Sequence, residues 1–425
     1  MIALFDQGVF SIATYLTGVL VSRATPVGFG FYTLVFALLM FGGEAHNSLV
    51  STPQMLRLPH LRDEARRRFN GSLLLHQLAL SGTLVAVLLC ASAVLYALSR
   101  SAGNQSLAGY AMVSLMAAAV LGPLALRNFA RNSCFAVRDA TSALTLDLVV
   151  SVVQLGGVAM LWAHGSLQWW AAVLIVAAAN LFSSLLWFAM SRRNFAPQLG
   201  AAWADFKSNW TISRFIFLSS MLWVGGMYLY PWMISHYGGP AAVGVWGACF
   251  ALANLGNPLV MGIQNVMGPA IAHAHAERDA AAFRAYVWRS SLIFVAIVLP
   301  ACAVMGFFAE RLLVLLNGST YAGNGRVTAI LACTMFLQGL SFPTSRGLFS
   351  LGRAGLDMST NIGPLVVLAT LGPVLVSHYG VTGAALSLLI AQTVGAVSHV
   401  IAFLYASRKP SPRAPIATSP IVEVA

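Results

Sequence analysis

Charge is what this sequence has least of. Only 8% of its 425 residues are Asp, Glu, Lys or Arg, where a soluble domain carries ~25%. With 58% hydrophobic residues and a mean hydropathy of +0.78, a water-soluble globular fold is excluded. Acid is scarcer still, at 12 residues against 24 basic ones, a net charge of +12. Such a balance can mark nucleic-acid binding. Here the Lys and Arg residues are scattered over short loops, so no nucleic-acid partner is expected. The five cysteines (Cys90, Cys134, Cys249, Cys302, Cys333) stand singly in apolar segments. No CxxC pair exists, so free, buried thiols and no disulfides are expected.

Enzyme signatures are missing as well. There is no GxSxG, Walker loop or HExxH. His273, His275 and Glu277 spell HAHAE, but no further ligand lies nearby, so no metal is expected. The NWT at Asn209 falls in an inner loop, where glycosylation has no bearing. The N-terminus lacks a basic n-region and an A-x-A site, and no removable signal peptide is expected. A membrane glycan polymerase or ligase would need a large outer loop to hold its acceptor, and the longest here is 309–324. The expectation is a transporter rather than an enzyme.

What the chain has is long apolar runs. A bilayer core of ~30 Å takes about twenty residues of helix at ~1.5 Å each. Twelve spans fit: 4–22, 29–52, 71–98, 108–130, 141–163, 169–190, 214–234, 242–268, 289–308, 325–345, 358–377 and 383–405. The fold class is an all-α integral membrane protein, and Pro26, Gly28, Gly238, Gly239 and Pro240 mark tight turns. With both termini cytoplasmic, the outer side keeps Arg23, Arg100, Arg311 and Arg326, and the other twenty basic residues lie inside. That is the positive-inside pattern, and Trp162, Trp169 and Trp170 flank an outer loop as interfacial aromatics do.

The halves repeat at an offset of 214 residues. Gly30 and Phe36 match Gly244 and Phe250, Phe135 matches Phe349, Asp147 falls on Asn361, and His164 on His378. Six spans per half make the repeat parallel, with its axis along the membrane normal. The expected organisation is a lobe over 1–190, a cytoplasmic linker over 191–213, a second lobe over 214–405 and a disordered, Pro- and Ser-rich cytoplasmic tail over 406–425.

Polar residues at membrane depth are costly and tend to face an interior or a wet cavity. The run 29–52 holds Glu44, His46 and Asn47, which either line a cavity or tie the helix to its neighbours. The eighth span carries Asn254, Asn257, Gln264 and Asn265 on one helical stripe with Pro258 amid it, a neutral wall suited to sugar hydroxyls or to helix packing. Arg127 and Arg131 share a face at i, i+4, with Arg138 close behind, and could form a phosphate-binding lip at the cytoplasmic mouth or anchor the helix end. Asp147, Asp357 and Asn361 could carry Na⁺ or H⁺, or be pinned by an Arg such as Arg138. Asp6 and His399 are further lone polar groups.

The chain resembles the polysaccharide-transporter branch of the multidrug/oligosaccharidyl-lipid/polysaccharide (MOP) flippase superfamily. The stretches that carry the resemblance are DQGVFSIATYLTGVLVSRATPVGFGFYTLVF, SLVSTPQM, HYGGPAAVGVWGACFALANL, AERLLVLLNGSTYAGNG and RGLFSLGRAG. Within that branch it is most similar to the O-antigen and exopolysaccharide flippases of bacterial inner membranes. The resemblance implies two six-helix lobes in a V, and alternating access moving a polyprenyl-diphosphate-linked oligosaccharide between leaflets. Spans one, two, seven and eight would line the cavity, putting Glu44, His46, Asn47, Asn254, Asn257 and Gln264 in the path. The first two spans have no Arg below Arg23, unlike the related lipid-II flippases. A neutral or aminosugar head is therefore expected, with phosphate nearer Arg127 and Arg131. No cofactor is expected; the coupling ion, Na⁺ or H⁺, stays open. Expected partners are the lipid-linked substrate, membrane lipids and glycan polymerases or glycosyltransferases. A multidrug or organic-cation antiporter of the same superfamily is the alternative. A major-facilitator transporter is disfavoured, because LRLPHLRDEARRRF lacks that family's motif.

Overall fold

The computed structural model describes residues 2–408, and these are helical almost throughout, with no strand among them. The tail beyond Arg408 and the side chains of Asp6 and Asn265 lie outside the described set. The first half holds α1 (Ile2–Ala24), α2 (Pro26–His46), α3 (Thr52–Arg57), α4 (Asp63–Ala102), α5 (Gln105–Ala136), α6 (Ala140–Ala163) and α7 (Trp169–Ser191). The second holds α8 (Leu199–Tyr228), α9 (Tyr230–Ala253), α10 (Asn257–Glu277), α11 (Ala280–Asn317), α12 (Gly325–Leu340), α13 (Phe342–Ser350), α14 (Ala354–Thr360) and α15 (Ile362–Arg408).

Nine helical stretches among the described residues are long and apolar enough to cross a membrane. Some are more than one rod. Gly239 (φ 73°, ψ 179°) breaks α9 just ahead of Pro240, and Gly380 (φ 54°) breaks α15. Both have backbone angles that a residue with a Cβ adopts only with strain. Counted with these breaks, the chain is compatible with the twelve expected crossings. α2 and α3 are joined by one widened turn over Asn47–Ser51. Pro53, which cannot donate to the turn before it, accounts for that widening.

The 214-residue offset is written into the backbone. Thr25 caps α2 by accepting from Gly28 N at 3.0 Å, and Pro26 opens the helix; Pro240 restarts α9 at the matching position. The two segments pack against one another reciprocally. A Cβ on Gly30 would collide with the Pro240 carbonyl, and one on Gly244 with the Pro26 carbonyl. Further along, Tyr228 sits between the matched pair Phe36 and Phe250, with ring centroids 6.4 and 6.2 Å away. The turns after α5 and α13 also coincide. Asp139 N donates to Cys134 O, and Arg353 N to Leu348 O, both at 2.9 Å. Arg138 and Gly352 take the same left-handed conformation there (φ 62° and 70°). His164 and His378 each donate Nδ1 to the carbonyl four residues back.

The lobes share a core at one end. One apolar core runs through both, from Phe29 and Leu34 to Tyr230, Trp246 and Tyr321. At the same end Arg23 donates to the Leu315 and Leu316 carbonyls, and Tyr321 OH to the Ser22 carbonyl. Towards the other end the cores separate: Leu58, Phe69 and Phe129 pack in the first lobe, Ile271, Phe283 and Phe403 in the second.

Two expectations need correction. The linker 191–213 is mostly helix: after a short turn at Arg192–Asn194, α8 begins at Leu199. Its first turns lie on the first lobe, where His76 Nε2 donates to the Ala202 carbonyl at 2.8 Å and Arg57 Nη1 to Asn209 Oδ1 at 2.7 Å. An amphipathic stretch that docks in this way gains the packing that makes a helix stable. The cysteines are free, but only Cys134 and Cys249 are buried; Cys90 and Cys333 are exposed on the outer faces of their helices.

Gly244→Val is expected to lower the thermal stability of the detergent-purified protein by about 1–3 kcal/mol, the usual cost of overpacking. Gly156→Ala, where a Cβ meets open space, is expected to leave the melting temperature unchanged or raised; equal effects of the two variants would remove the case for the seat.

Candidate functional site

The polar residues of the first lobe gather into one cluster. Arg127 and Arg131 follow one another by a turn on α5 and both reach Asp147 on α6. Arg127 Nη2 pairs with Asp147 Oδ1, and Arg131 Nε donates to Oδ2 at 2.9 Å. Arg127 Nη1 also donates to Asn128 Oδ1 at 3.0 Å, and its guanidinium lies 4.0 Å from the centre of the Phe10 ring. Asp147 is wholly buried and Arg127 is 3% exposed. The expected phosphate lip and the expected ion carrier are thus one ion-paired strut joining α1, α5 and α6. Burial makes this the physical outcome, because a lone charge there is far costlier than a pair. Asp147 is pinned by Arg127 and Arg131, not by Arg138, which is exposed on its turn. There Asp139 caps α6; the hydroxyl and amide of Ser142 hold its carboxyl below the usual carboxylate range.

His46 is a second correction. It is buried at 3% exposure, donating Nδ1 to the Gly42 carbonyl at 2.7 Å and accepting from the Ser81 hydroxyl at 2.9 Å. It ties α2 to α4. Ser51 and Gln54, inside SLVSTPQM, do similar work against α5 through Asn132 and Ser133. Glu44 is half-buried and Asn47 exposed, and the Asn47 amide reaches Glu44 Oε2 at 3.4 Å. On the second lobe, Asn254 spends its amide on the Phe250 carbonyl at 2.8 Å, and Asn257 is exposed. α2 and the turn after it pack on α8, and α10 packs on α11 and α13, while the side chains of Asn47 and Asn257 stay exposed.

The second lobe contains a cavity of about 330 Å³. α8 supplies Ser219, Ser220 and Trp223; α10 supplies Gln264. Gln338, Ser341 and Ser345 come from α12, α13 and the bend between them. Asp357, Asn361, Gln392 and His399 close it. Asp357 is 7% exposed, and its Oδ1 has no hydrogen-bond partner among the described residues. His399 Nε2 is 3.4 Å from that oxygen and 2.9 Å from Thr360 Oγ1. Of the residues singled out from the sequence, the structure brings Gln264, Asp357, Asn361 and His399 together here. Trp223, Gln338, Ser341, Ser345 and Gln392 were missed. The repeat could have found two of them, because the offset carries Arg127 to Ser341 and Arg131 to Ser345.

A profile of a family described as polysaccharide biosynthesis proteins matches residues 71–324, more than half of the chain. The chain belongs to this family. No curated protein matches it. Among solved structures, it is similar to an inward-facing multidrug resistance MATE-family transporter of the MOP superfamily, at 18% identity over 94% of each chain, with a TM-score of 0.73. It is similar to an outward-facing transporter of the same description at 16% identity over 95% of this chain and 93% of that one, with a TM-score of 0.61. A MOP-superfamily transporter from Pyrococcus furiosus Vc1, whose binding pocket is described as reversed in polarity, matches at 16% identity, 96% and 94% coverage and a TM-score of 0.64. The polysaccharide-biosynthesis family member is therefore a multi-pass membrane protein with the MOP fold, as the sequence resemblance implied.

Asp147→Asn is expected to destabilise the protein by about 3–5 kcal/mol by removing a buried carboxylate charge that Arg127 and Arg131 share. The double variant Arg127→Met, Asp147→Leu is expected to recover most of that loss in thermal unfolding; a double variant as unstable as the single one would show that the cluster is not the cause.

Proposed function

We propose that this protein moves a polyprenyl-diphosphate-linked oligosaccharide across the bacterial inner membrane by alternating access, for surface or exopolysaccharide biosynthesis. The observation that carries the reading is the reciprocal seat of Gly30 and Gly244. It is a pivot between two similar lobes whose cores part company towards the opposite end. The family's tie to polysaccharide biosynthesis supports a glycan cargo. Two lobes that share one core at one end and have separate cores at the other can rock about the shared end.

The positive-inside bias supports an orientation with both termini in the cytoplasm. The joined end, with Arg23 and Pro26, then faces outward, and the parted end opens inward. The greater likeness to the inward-facing relative than to the outward-facing one is consistent with that state. In this reading the sugar head meets Glu44, Asn47, Asn257 and Gln264, and the lipid tail stays in the bilayer. The diphosphate sits at the cytoplasmic mouth near the exposed Arg138, since Arg127 and Arg131 are spent on Asp147. Coupling to Na⁺ or H⁺ would run through Asp357 and Asn361. Glycan polymerases or glycosyltransferases would supply or consume the cargo. The organic-cation antiporter is the second reading, favoured by Glu44 lying near Tyr228 and by Trp223 against that tyrosine at 6.4 Å.

Glu44→Ala is expected to lower glycan export about tenfold, the worth of one hydrogen bond to a charged group, at an unchanged amount of membrane-inserted protein. The assay is lipid-linked oligosaccharide held in the inner leaflet of a strain carrying only the variant. A deletion strain that traps no such lipid but becomes sensitive to organic cations would transfer the assignment to the antiporter.

A further inference from the structure

The two lobes share a backbone plan, but differ sharply at one place. The offset of 214 relates Arg127, Arg131 and Asp147 to Ser341, Ser345 and Asn361. The first lobe fills this volume with three ion-paired side chains. The second puts short neutral ones there and leaves the 330 Å³ cavity. Around it the polarity runs the other way. Gln264, Gln338, Asp357 and Gln392 stand where the first lobe has Val50, Leu124, Ala143 and Ala178. The fold plainly does not need polar groups at these positions, since the sister lobe does without them. Polar side chains facing a hollow in a membrane-embedded bundle cost free energy unless something satisfies them.

We infer that this cavity is a saccharide subsite, taking one neutral hexose or N-acetylhexosamine ring of the cargo. The inference rests on the flippase reading and gives it a specificity site. Four features select that ligand. The volume lies at the small end of ligand pockets, which run from ~300 to ~1,000 Å³. The amides of Gln264, Gln338, Gln392 and Asn361 each offer both a donor and an acceptor, as vicinal hydroxyls do. Trp223 supplies an apolar ring for the C–H face of a pyranose. Asp357 Oδ1, which accepts no hydrogen bond among the described residues and lies 3.4 Å from His399 Nε2, is an acceptor for a sugar hydroxyl. A phosphate does not fit, because no Arg or Lys lines the cavity and Asp357 would repel it. A coupling Na⁺ at Asp357 and Asn361 would still leave the amide N–H groups of Gln264, Gln338 and Gln392 and the Trp223 ring unused. Gln264 lies two turns along α10 from the exposed Asn257, which ties the cavity to the proposed path.

The test is saturation-transfer NMR on the full-length protein in lipid nanodiscs, with methyl glycosides of glucose, galactose and N-acetylglucosamine as probes at tens of millimolar, in sodium and in choline buffer. At least one glycoside is expected to give signal in both buffers. Gln338→Leu and Asp357→Ala install chemistry the first lobe already tolerates, and each is expected to cut the signal at least fivefold with the melting temperature preserved. Asn361→Leu, which fills the hollow, is expected to abolish it. No signal from any glycoside with the unaltered protein would overturn the inference, as would signal that survives all three substitutions. Sodium binding that is lost in Asp357→Ala, without any glycoside signal, would overturn it in favour of a cation site. The flippase reading is judged separately by trapped lipid-linked oligosaccharide. Export intact without glycoside binding sinks only the subsite, and glycoside binding in a protein whose deletion traps no lipid sustains the subsite while removing the flippase.

Discussion

Everything in this molecule turns on two short segments, Pro26–Gly30 and Pro240–Gly244, lying backbone to backbone. Each presents a glycine to the other's opening carbonyl. In a bilayer there is no hydrophobic drive between helices, and close approach through small residues is one of the main sources of attraction. That requirement explains why glycines stand at matched places in both halves. It also explains why a proline begins each helix, where its missing N–H costs nothing. From this seat the rest follows: one shared core around it, and two independent cores where the lobes diverge.

The lobes then specialise. The first is braced by charge, with α1, α5 and α6 held around Asp147 by two guanidiniums. The second is hollow and lined with amides and hydroxyls. Such a division suits a transporter, in which one half can serve as a stiff reference while the other accommodates cargo. It also shows that one topology can be filled by ion pairing in one copy and left hollow in the other.

Much of the fold was legible in the sequence. Apolar run lengths and the Lys and Arg distribution are consequences of the bilayer, and they gave an all-α, multi-pass chain. The 214-residue repeat gave the pseudo-symmetry from Gly30, Phe36, Phe135 and His164 alone. The site was less legible, for a physical reason. A polar residue within a span looks the same in sequence whether it meets water or another side chain. His46 was such a case, since Ser81, which satisfies it, lies on another helix. Arg127 and Asp147 looked like two functions until the α5–α6 packing made them one pair. Gln338 and Gln392 carry no motif, and only the arrangement of six helices brings them to the same hollow.

The helix α8 has a mechanical consequence. It begins docked on the first lobe through His76 and Arg57, and ends among the aromatics of the second around Tyr228. A rigid rod fastened to both bodies is a connecting arm rather than a tether. In the proposed rocking of the halves, the movement of one would be passed along it, which would make the chain's crossover a working part.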